Sequence, residues 1–431
     1  MPALVAGIHV FDARVTLQGR VKEIASTTIM LRPDTPALTA LLALLTAVGP
    51  LSVDLYLPSL PAIGVALDAS PAAVQLTISF YLVGFAAGQL VYGPLSDRFG
   101  RKPVMLAALI IFCGATLACA AAPSITALIG GRTLQAFGSA GAIVLARAVV
   151  RDLYEGPRAG RELSLMAMIM GLAPVVAPLI GSGLQAAFGW RACFLFIFAG
   201  GAVATAAVHW LLPETLRPAL HQPGGGVAKS FAIVLRHRGA LAYVAIIAGG
   251  FGGLFAFISA SSFVLQSVHG LSPFGFGLAF AAASVGYIAG TSLAAKLVTR
   301  LGLDRTMGWG TAVMAAGGLG MIAATALAPS WVAGIVLPMM LYLAGLGLAM
   351  PQALAGALQP FPERAGAASS LIGAIQQAAA AVLGAVVVRA LGASAWPMVL
   401  GIALPGMLAF AVWATTHEAR LPEGPRGRAS R

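Results

Sequence analysis

Charge is what this chain lacks most. Only 9% of its 431 residues are Asp, Glu, Lys or Arg, against roughly 25% in an ordinary soluble domain. Water cannot solvate a surface built that way, which excludes a soluble globular protein. Cysteine is nearly missing: Cys113, Cys119 and Cys193 are the whole complement. They form no CxxC and no Cys/His cluster at metal-ligand spacing, so neither a disulfide framework nor a metal site is indicated, and they read as packing residues. Long polar segments are missing too. Most connections between apolar runs are a few residues long, so a soluble catalytic domain does not fit and no nucleophile–base set is visible. The chain is not expected to be an enzyme or to carry a cofactor.

Apolar sequence fills the space. Hydrophobic residues make up 59% of the chain and the mean hydropathy is +0.91. Twelve apolar runs can be marked, at 37–60, 73–93, 104–122, 125–149, 162–184, 191–212, 240–265, 273–297, 306–328, 331–356, 366–391 and 395–415. Each is near the ~20 residues needed to cross roughly 30 Å of hydrocarbon. Backbone polar groups find no water there, so the runs should be helices; the alternation of a membrane β-barrel is absent. The expectation is an all-α integral membrane protein of twelve transmembrane helices in two six-helix bundles. Residues 1–36 form an N-terminal extension, 37–212 the first bundle, 213–239 a flexible linker rich in Pro and Gly, 240–415 the second bundle and 416–431 a tail. Met30 lies just before the first run, and translation is expected to start there.

The basic residues set the orientation. Of the 26 Lys and Arg, all but Arg132, Arg147, Arg191 and Arg389 fall on one side of the twelve-span map. That side is expected to be the cytoplasm, with both termini inside. Trp190, Trp331 and Trp396 fall at outer span ends and Trp210, Trp309 and Trp413 at inner ones, as an interfacial aromatic belt requires. The net charge of +12 is scattered over separate loops, so it reports topology and attraction to anionic lipid rather than a nucleic-acid surface.

The halves look like copies. SDRFGRKPVM (96–105) matches VTRLGLDRTM (298–307) in Arg, Gly and Met at a separation of 202, that of Arg98 from Arg300. Arg158-Ala-Gly with Ser164-Leu165 matches Arg364-Ala-Gly with Ser370-Leu371 at 206, and the same separation carries Trp190 onto Trp396. Internal duplication of a membrane bundle points to a secondary transporter.

The stretch GPLSDRFGRKP (93–103) reads as a charged turn between two spans and resembles the loop signature of the major facilitator superfamily. DLYLPSLP (54–61), QLT (75–77), Gly84-Phe85, GQL (88–90), ARAVVRDLY (146–154), MGLAP (170–174), GWR (189–191) and PETL (213–216) together resemble the Bcr/CflA group of drug:proton antiporters. The resemblance spans about 37–415. It implies that superfamily's twelve-helix fold and outward, proton-driven transport of small drug-like molecules across a bacterial inner membrane, with the cargo, protons and the lipid bilayer as partners and a monomer as the working unit. The same fold could instead export a metabolite such as an amino acid. A membrane enzyme lacks its ligand or nucleophile set here, and a receptor lacks a signalling domain.

Asp54 is the only acid deep inside a run, and an intramembrane carboxylate is a functional candidate by default; the plain reading is a helix-packing carboxyl. Arg132 is its expected partner. Each lies about 10 Å below the outer surface at ~1.5 Å per residue, a depth that permits an ion pair, although Arg132 could also snorkel outward. The resemblance adds that LIGGRTLQ (128–135) matches a fourth-helix motif tied to proton coupling. In the fifth run Gly171, Pro174, Pro178 and Gly181 allow a bend and close approach. They match a Gly/Pro motif of the antiporters, with Gly181-Ser182 where a Gly-Gly pair is common; ordinary small-residue packing is the alternative. Gly93, Asp97, Arg98, Gly100, Arg101, Lys102 and Arg151 form the loop set. Asp97 could pair with Arg98, Arg101, Arg147 or Arg151 in what the family uses as a conformational latch, or the cations could only set topology. Tyr56, Tyr81, Gln89, Gln135, Phe255, Phe257, Gln352, Gln376 and Gln377 are the polar and aromatic pocket candidates, each also explicable as packing. His209 and Arg389 read as interfacial.

Overall fold

The computed structural model describes residues 35–154, 156–216, 227–361, 365–392 and 394–420. The expected start at Met30 and most of the extension and tail lie outside them. The described residues form helices and no strand.

The first half contains α1 (Pro36–Asp54), α2 (Leu60–Ala66), α3 (Pro71–Phe99), α4 (Arg101–Ala120), α5 (Ile125–Leu153), α6 (Gly156–Phe188) and α7 (Trp190–Leu211). After α8 (Val227–Arg236) the second half contains α9 (Arg238–Phe263), α10 (Pro273–Leu301), α11 (Leu303–Leu327), α12 (Ala333–Leu358), α13 (Ala365–Arg389) and α14 (Trp396–Thr415), followed by the short α15 (His417–Arg420). Eleven described segments are long and apolar enough to cross a membrane, α1 through α2 counting as one. The 33-residue α6, apolar over Leu172–Phe188, is the twelfth long helix. The expected spans are therefore present as helices.

Inside each half the helices pack through small residues: α3 and α4 against α5 and α1 against α6, then α10 and α11 against α12 and α9 against α13 and α14. The halves meet along α6 with α10 and α3 with α13. The copies match in detail. Ser70 caps α3 and Ser272 caps α10, each accepting from the backbone N–H three residues on and each followed by Pro, again at a separation of 202. A Ser cap satisfies an otherwise orphaned helix N–H.

Three features depart from the sequence expectation. The first span is broken between α1 and α2. The loop at 93–103 is mostly helix, since α3 continues to Phe99 and α4 starts at Arg101, leaving Gly100 alone between them. Its φ of +99° is a conformation glycine adopts without steric cost, so one residue suffices to turn the chain; Gly302 repeats this at +78° between α10 and α11. Finally, 213–239, expected to be flexible, contains the helix Val227–Arg236. Alternating loops define two faces, one bearing Gly100, Glu214 and Gly302 and the other bearing Asp68, Gly189 and Gly270.

Candidate functional site

The site starts with two prolines. In a continuous helix Pro58 would donate to the carbonyl of Asp54 and Pro61 to that of Leu57, but neither has an N–H. α1 therefore ends at Asp54, a short 3-10 turn covers Leu57–Ser59, and α2 resumes at Leu60. The break leaves backbone carbonyls to be satisfied inside a membrane segment, where water is not at hand. It places Asp54, 4% exposed, on the last turn of α1. Among the described residues no hydrogen bond or ion pair to its carboxylate is formed.

Arg132 grips the same turn. Its Nη1 donates to the carbonyl of Ser52 (2.9 Å) and to Oε1 of Gln135, and a cation at a helix C-terminus is favoured by the exposed carbonyls. Its guanidinium lies between the rings of Tyr56 and Tyr81, 4.2 and 4.3 Å from their centroids, with Phe194 at 5.9 Å. Such faces stabilise a desolvated cation by ~2 kcal/mol. The cage is held in turn by hydroxyls and amides: Tyr56 with Thr77 (2.9 Å), Tyr81 with Gly49 O (3.1 Å) and Ser139 (3.0 Å), and Gln135 with Thr116 (2.9 Å). Arg132 is fully buried, with Nε and Nη2 unpaired. The expected Asp54–Arg132 ion pair is not formed. Equal depth left open which way each side chain turned, and the guanidinium is taken up by two aromatic faces and the Ser52 carbonyl instead. Burial also removes the alternative that Arg132 snorkels to the surface.

The break faces the second half as well. Ser262 Oγ donates to the carbonyl of Leu57 (2.6 Å), the acceptor that Pro61 leaves free, and Gln266 Nε2 donates to the carbonyl of Pro58 (3.0 Å). Gln75 Nε2 to Ser259 (2.8 Å) and Ser79 Oγ to the carbonyl of Ala381 (3.1 Å) join α3 to α9 and α13. These four bonds between the halves cluster toward the face that bears Asp68 and Gly270, a polar seal on that side.

The fifth-helix residues sit against both partners. At Gly181 a Cβ would run into the Leu55 carbonyl, so only glycine lets α6 approach the residue after Asp54. Ser182, where a second glycine is common in the antiporters, is matched across the interface by Gly277, whose missing side chain leaves room for the hydroxyl. Pro174 and Pro178 lie inside the same helix, as does Gly171.

The loop residues assemble around Arg101. Its Nη1 donates to Ser96 Oγ (2.7 Å) and Asp97 Oδ1 (2.5 Å), and its Nε to Asp152 Oδ2 (2.9 Å). The side chain is nearly buried. Of the partners considered for Asp97, Arg101 is thus in place, while Arg98 lies over Phe99 and Arg151 is exposed. Lys102 and Gly93 are half-buried. Two acids here escaped the sequence reading, Asp152 and Glu214, although both lie inside motifs already singled out, beside Arg151 and within PETL.

The nine pocket candidates separate. Tyr56, Tyr81 and Gln135 belong to the Arg132 cage. Phe257 stacks on Phe280 and Phe255 packs on Phe251, both phenylalanines buried in the second half. Gln352 is buried, and Gln89, Gln376 and Gln377 are half-buried. Gln89 approaches Gly373 where α3 meets α13, so it is one candidate placed at the junction of the halves. Ser52, Thr77, Thr116 and Ser139 were missed; single hydroxyls on apolar helices carry no spacing signal.

Known proteins resemble this chain in sequence and fold. The Major Facilitator Superfamily profile matches residues 42–384. A bicyclomycin resistance protein homolog of Haemophilus influenzae is 32% identical over 359 residues, covering 83% of this chain and 90% of its own. Multidrug resistance protein D of Escherichia coli is 33% identical over 353 residues, 80% and 87% of the two chains. A chloramphenicol resistance protein of Pseudomonas aeruginosa is 30% identical over 356 residues, 81% and 83%. In fold, the crystal structure of a D-xylose-proton symporter superposes with a TM-score of 0.71 over 89% of this chain and 97% of its own, at 15% identity. By this match over most of its length and by its relatives, the chain belongs to the Major Facilitator Superfamily and, within it, to the Bcr/CflA-type group.

Proposed function

We propose that the protein exports small drug-like molecules across the bacterial inner membrane in exchange for protons, its two halves rocking about the interface between them, with both termini on the cytoplasmic side. It works as a monomer and without a bound cofactor. The printed names of three relatives, for bicyclomycin, multidrug and chloramphenicol resistance, support the cargo class. The observation that carries the mechanism is Asp54: a buried carboxylate with no cationic partner among the described residues, set in a helix break whose carbonyls are held by Arg132 on one side and by the second half on the other. Protonation there changes charge three and four residues from the Leu57 and Pro58 carbonyls that bond the second half, so loading from outside and release inside can be tied to breaking and remaking the seal. The membrane potential supplies about 2.3 kcal/mol per charge per 100 mV.

The test is proton flux in proteoliposomes while a drug panel that includes chloramphenicol and bicyclomycin is added. Asp54→Asn is expected to insert and fold normally, to bind cargo and to lose proton-driven efflux. A variant that still pumps at the wild-type rate removes Asp54 from the mechanism. A wild-type protein that moves protons with no drug in the panel removes the cargo assignment.

A further inference from the structure

One pair of contacts at the loop face recurs in both halves with its polarity reversed. In the first half α4 starts at Arg101 with no side-chain cap of its own, because its N-cap is Gly100. The first N–H groups of a helix are orphans. Here a distant residue satisfies them: Glu214, just after α7, accepts from Arg101 N through Oε1 (2.9 Å) and from Lys102 N through Oε2 (3.1 Å). The fit accounts for Gly100 a second time, since a Cβ there would meet Glu214 Oε2 at 2.6 Å. Thr215, the next residue, donates to Asp152 (3.2 Å) at the end of α5. The segment 213–216 thus fastens α7 to the starts and ends of its neighbours at the point where Arg101 is held.

In the second half α11 also follows a glycine N-cap with no side-chain cap, and its acid is its own: Asp304 lies in the first turn. A base follows the last span, in α15. Arg420 Nε donates to Asp304 Oδ1 (2.9 Å), His417 Nδ1 lies 3.5 Å from Oδ2, and Trp413 Nε1 donates to the Asp304 carbonyl (3.2 Å). The Arg420 side chain is 1% exposed. The separations that relate the halves carry Lys102 onto Asp304, at 202, and Glu214 onto Arg420, at 206. In each half a carboxylate occupies the start of the third span, where a helix dipole favours it, and in each it ties that start to the chain leaving the sixth span. The tail supplies the acid in one half and the base in the other.

We infer that Glu214 and Arg420 are positioning residues of transport, each holding the six helices of its half together at the loop face so that the half moves as one body. In the first half this joint also fixes the point from which Arg101 reaches Asp97 and Asp152. The two joints differ in a testable way. Glu214 binds backbone N–H groups, so no exchange of side-chain charge can replace it. Asp304 and Arg420 bind side chain to side chain, so trading their charges can restore part of the joint, against the helix dipole at 304 and the loss of the Arg420 bonds to Thr416 and the Val412 carbonyl.

The inference rests on the transport reading above, so the experiment has one arm that needs no cargo. Hydrogen exchange on the purified full chain reports the amides of residues 101 and 102 directly. Glu214→Gln is expected to speed their exchange roughly tenfold or more, the size of a charge-assisted hydrogen bond, and Glu214→Asp to restore part of the protection. In proteoliposomes with chloramphenicol as probe, Glu214→Gln and Arg420→Gln lower the maximal rate roughly tenfold with KM within about twofold of wild type, because neither touches cargo. The double variant Asp304→Arg/Arg420→Asp regains part of the rate lost in Arg420→Gln, and Lys102→Glu/Glu214→Lys regains none of that lost in Glu214→Gln. Unchanged amide exchange in Glu214→Gln overturns the joint. A wild-type maximal rate in that variant, or recovery by the first-half swap, overturns the positioning role. If wild type does not move chloramphenicol, the cargo assignment fails and the exchange arm still decides the joint.

Discussion

The two halves share a backbone plan and place charge differently. At the separation of 202, Asp54 falls on Ala256; Arg132, taken at 202 to 206, falls within Gly334–Pro338, none of which ionises. Where the first half encloses a cation in aromatic rings, the second buries Tyr342, whose hydroxyl donates to the Gly250 carbonyl (3.1 Å), and stacks Phe257 on Phe280 at 5.2 Å. The loop cluster behaves likewise: Thr299 and Leu303 stand where Asp97 and Arg101 would be. The second half thus forms its bundle without a counterpart to Asp54 or Arg132. On the reading proposed above, that pair serves coupling rather than packing.

Arg132→Leu is the hardest test of that contrast. A buried cation without a carboxylate is costly, and replacing such a group by a hydrophobe is often neutral or stabilising. Efflux is expected to fall by roughly 100-fold, about 2.7 kcal/mol in activation terms, while thermal unfolding of the purified protein stays within about 2 kcal/mol of wild type. An unfolded variant would make Arg132 structural and erase the contrast. Next in size is the loop. Arg101→Ala removes the guanidinium that Asp97 and Asp152 share and should cost about 1.5–3 kcal/mol, the value of hydrogen bonds to charged groups, read as a lower melting temperature. Leu303→Arg in the second half, with no Asp97 counterpart to meet, should stay within about 0.5 kcal/mol. Equal effects would mean that the second loop has an acceptor the sequence hides. Smallest is Tyr342→Phe, which removes one neutral hydrogen bond and should cost about 1 kcal/mol with the proton-to-drug ratio unaltered. A changed ratio would bring the second half into coupling.

Much of the fold was legible because the bilayer demands it. Runs of about 20 apolar residues, basic loops and paired tryptophans each carry a physical requirement that survives without an alignment. The contacts were less legible, for identifiable reasons. Tyr56 and Tyr81 were seen as aromatic and within spans, but whether they face a cavity or Arg132 depends on how three helices rotate against one another. The motif at 93–103 was found as a charge cluster; that it is helical up to Phe99 follows from the capacity of Gly100 to turn the chain alone. The break after Asp54 was written in Pro58 and Pro61, whose missing N–H groups disrupt the same helix. Glu214 lay within a recognised motif, yet its role depends on backbone amides more than a hundred residues earlier, which no local spacing records.

The break has a further consequence for how this protein can vary. Two of the four bonds that close one side of the molecule end on main-chain oxygens of residues 57 and 58, and main-chain oxygens are indifferent to substitution. Drift at Leu57 leaves that half of the lock in place, so its strength can be tuned only from the donors, Ser262 and Gln266. At a net ~0.5–1.5 kcal/mol per bond, the pair is of the same order as the energy one charge gains in crossing ~100 mV. A lineage under selection by a new toxin would thus find its gating adjustable at two positions of the second half, with the ionisable core of the first half left alone.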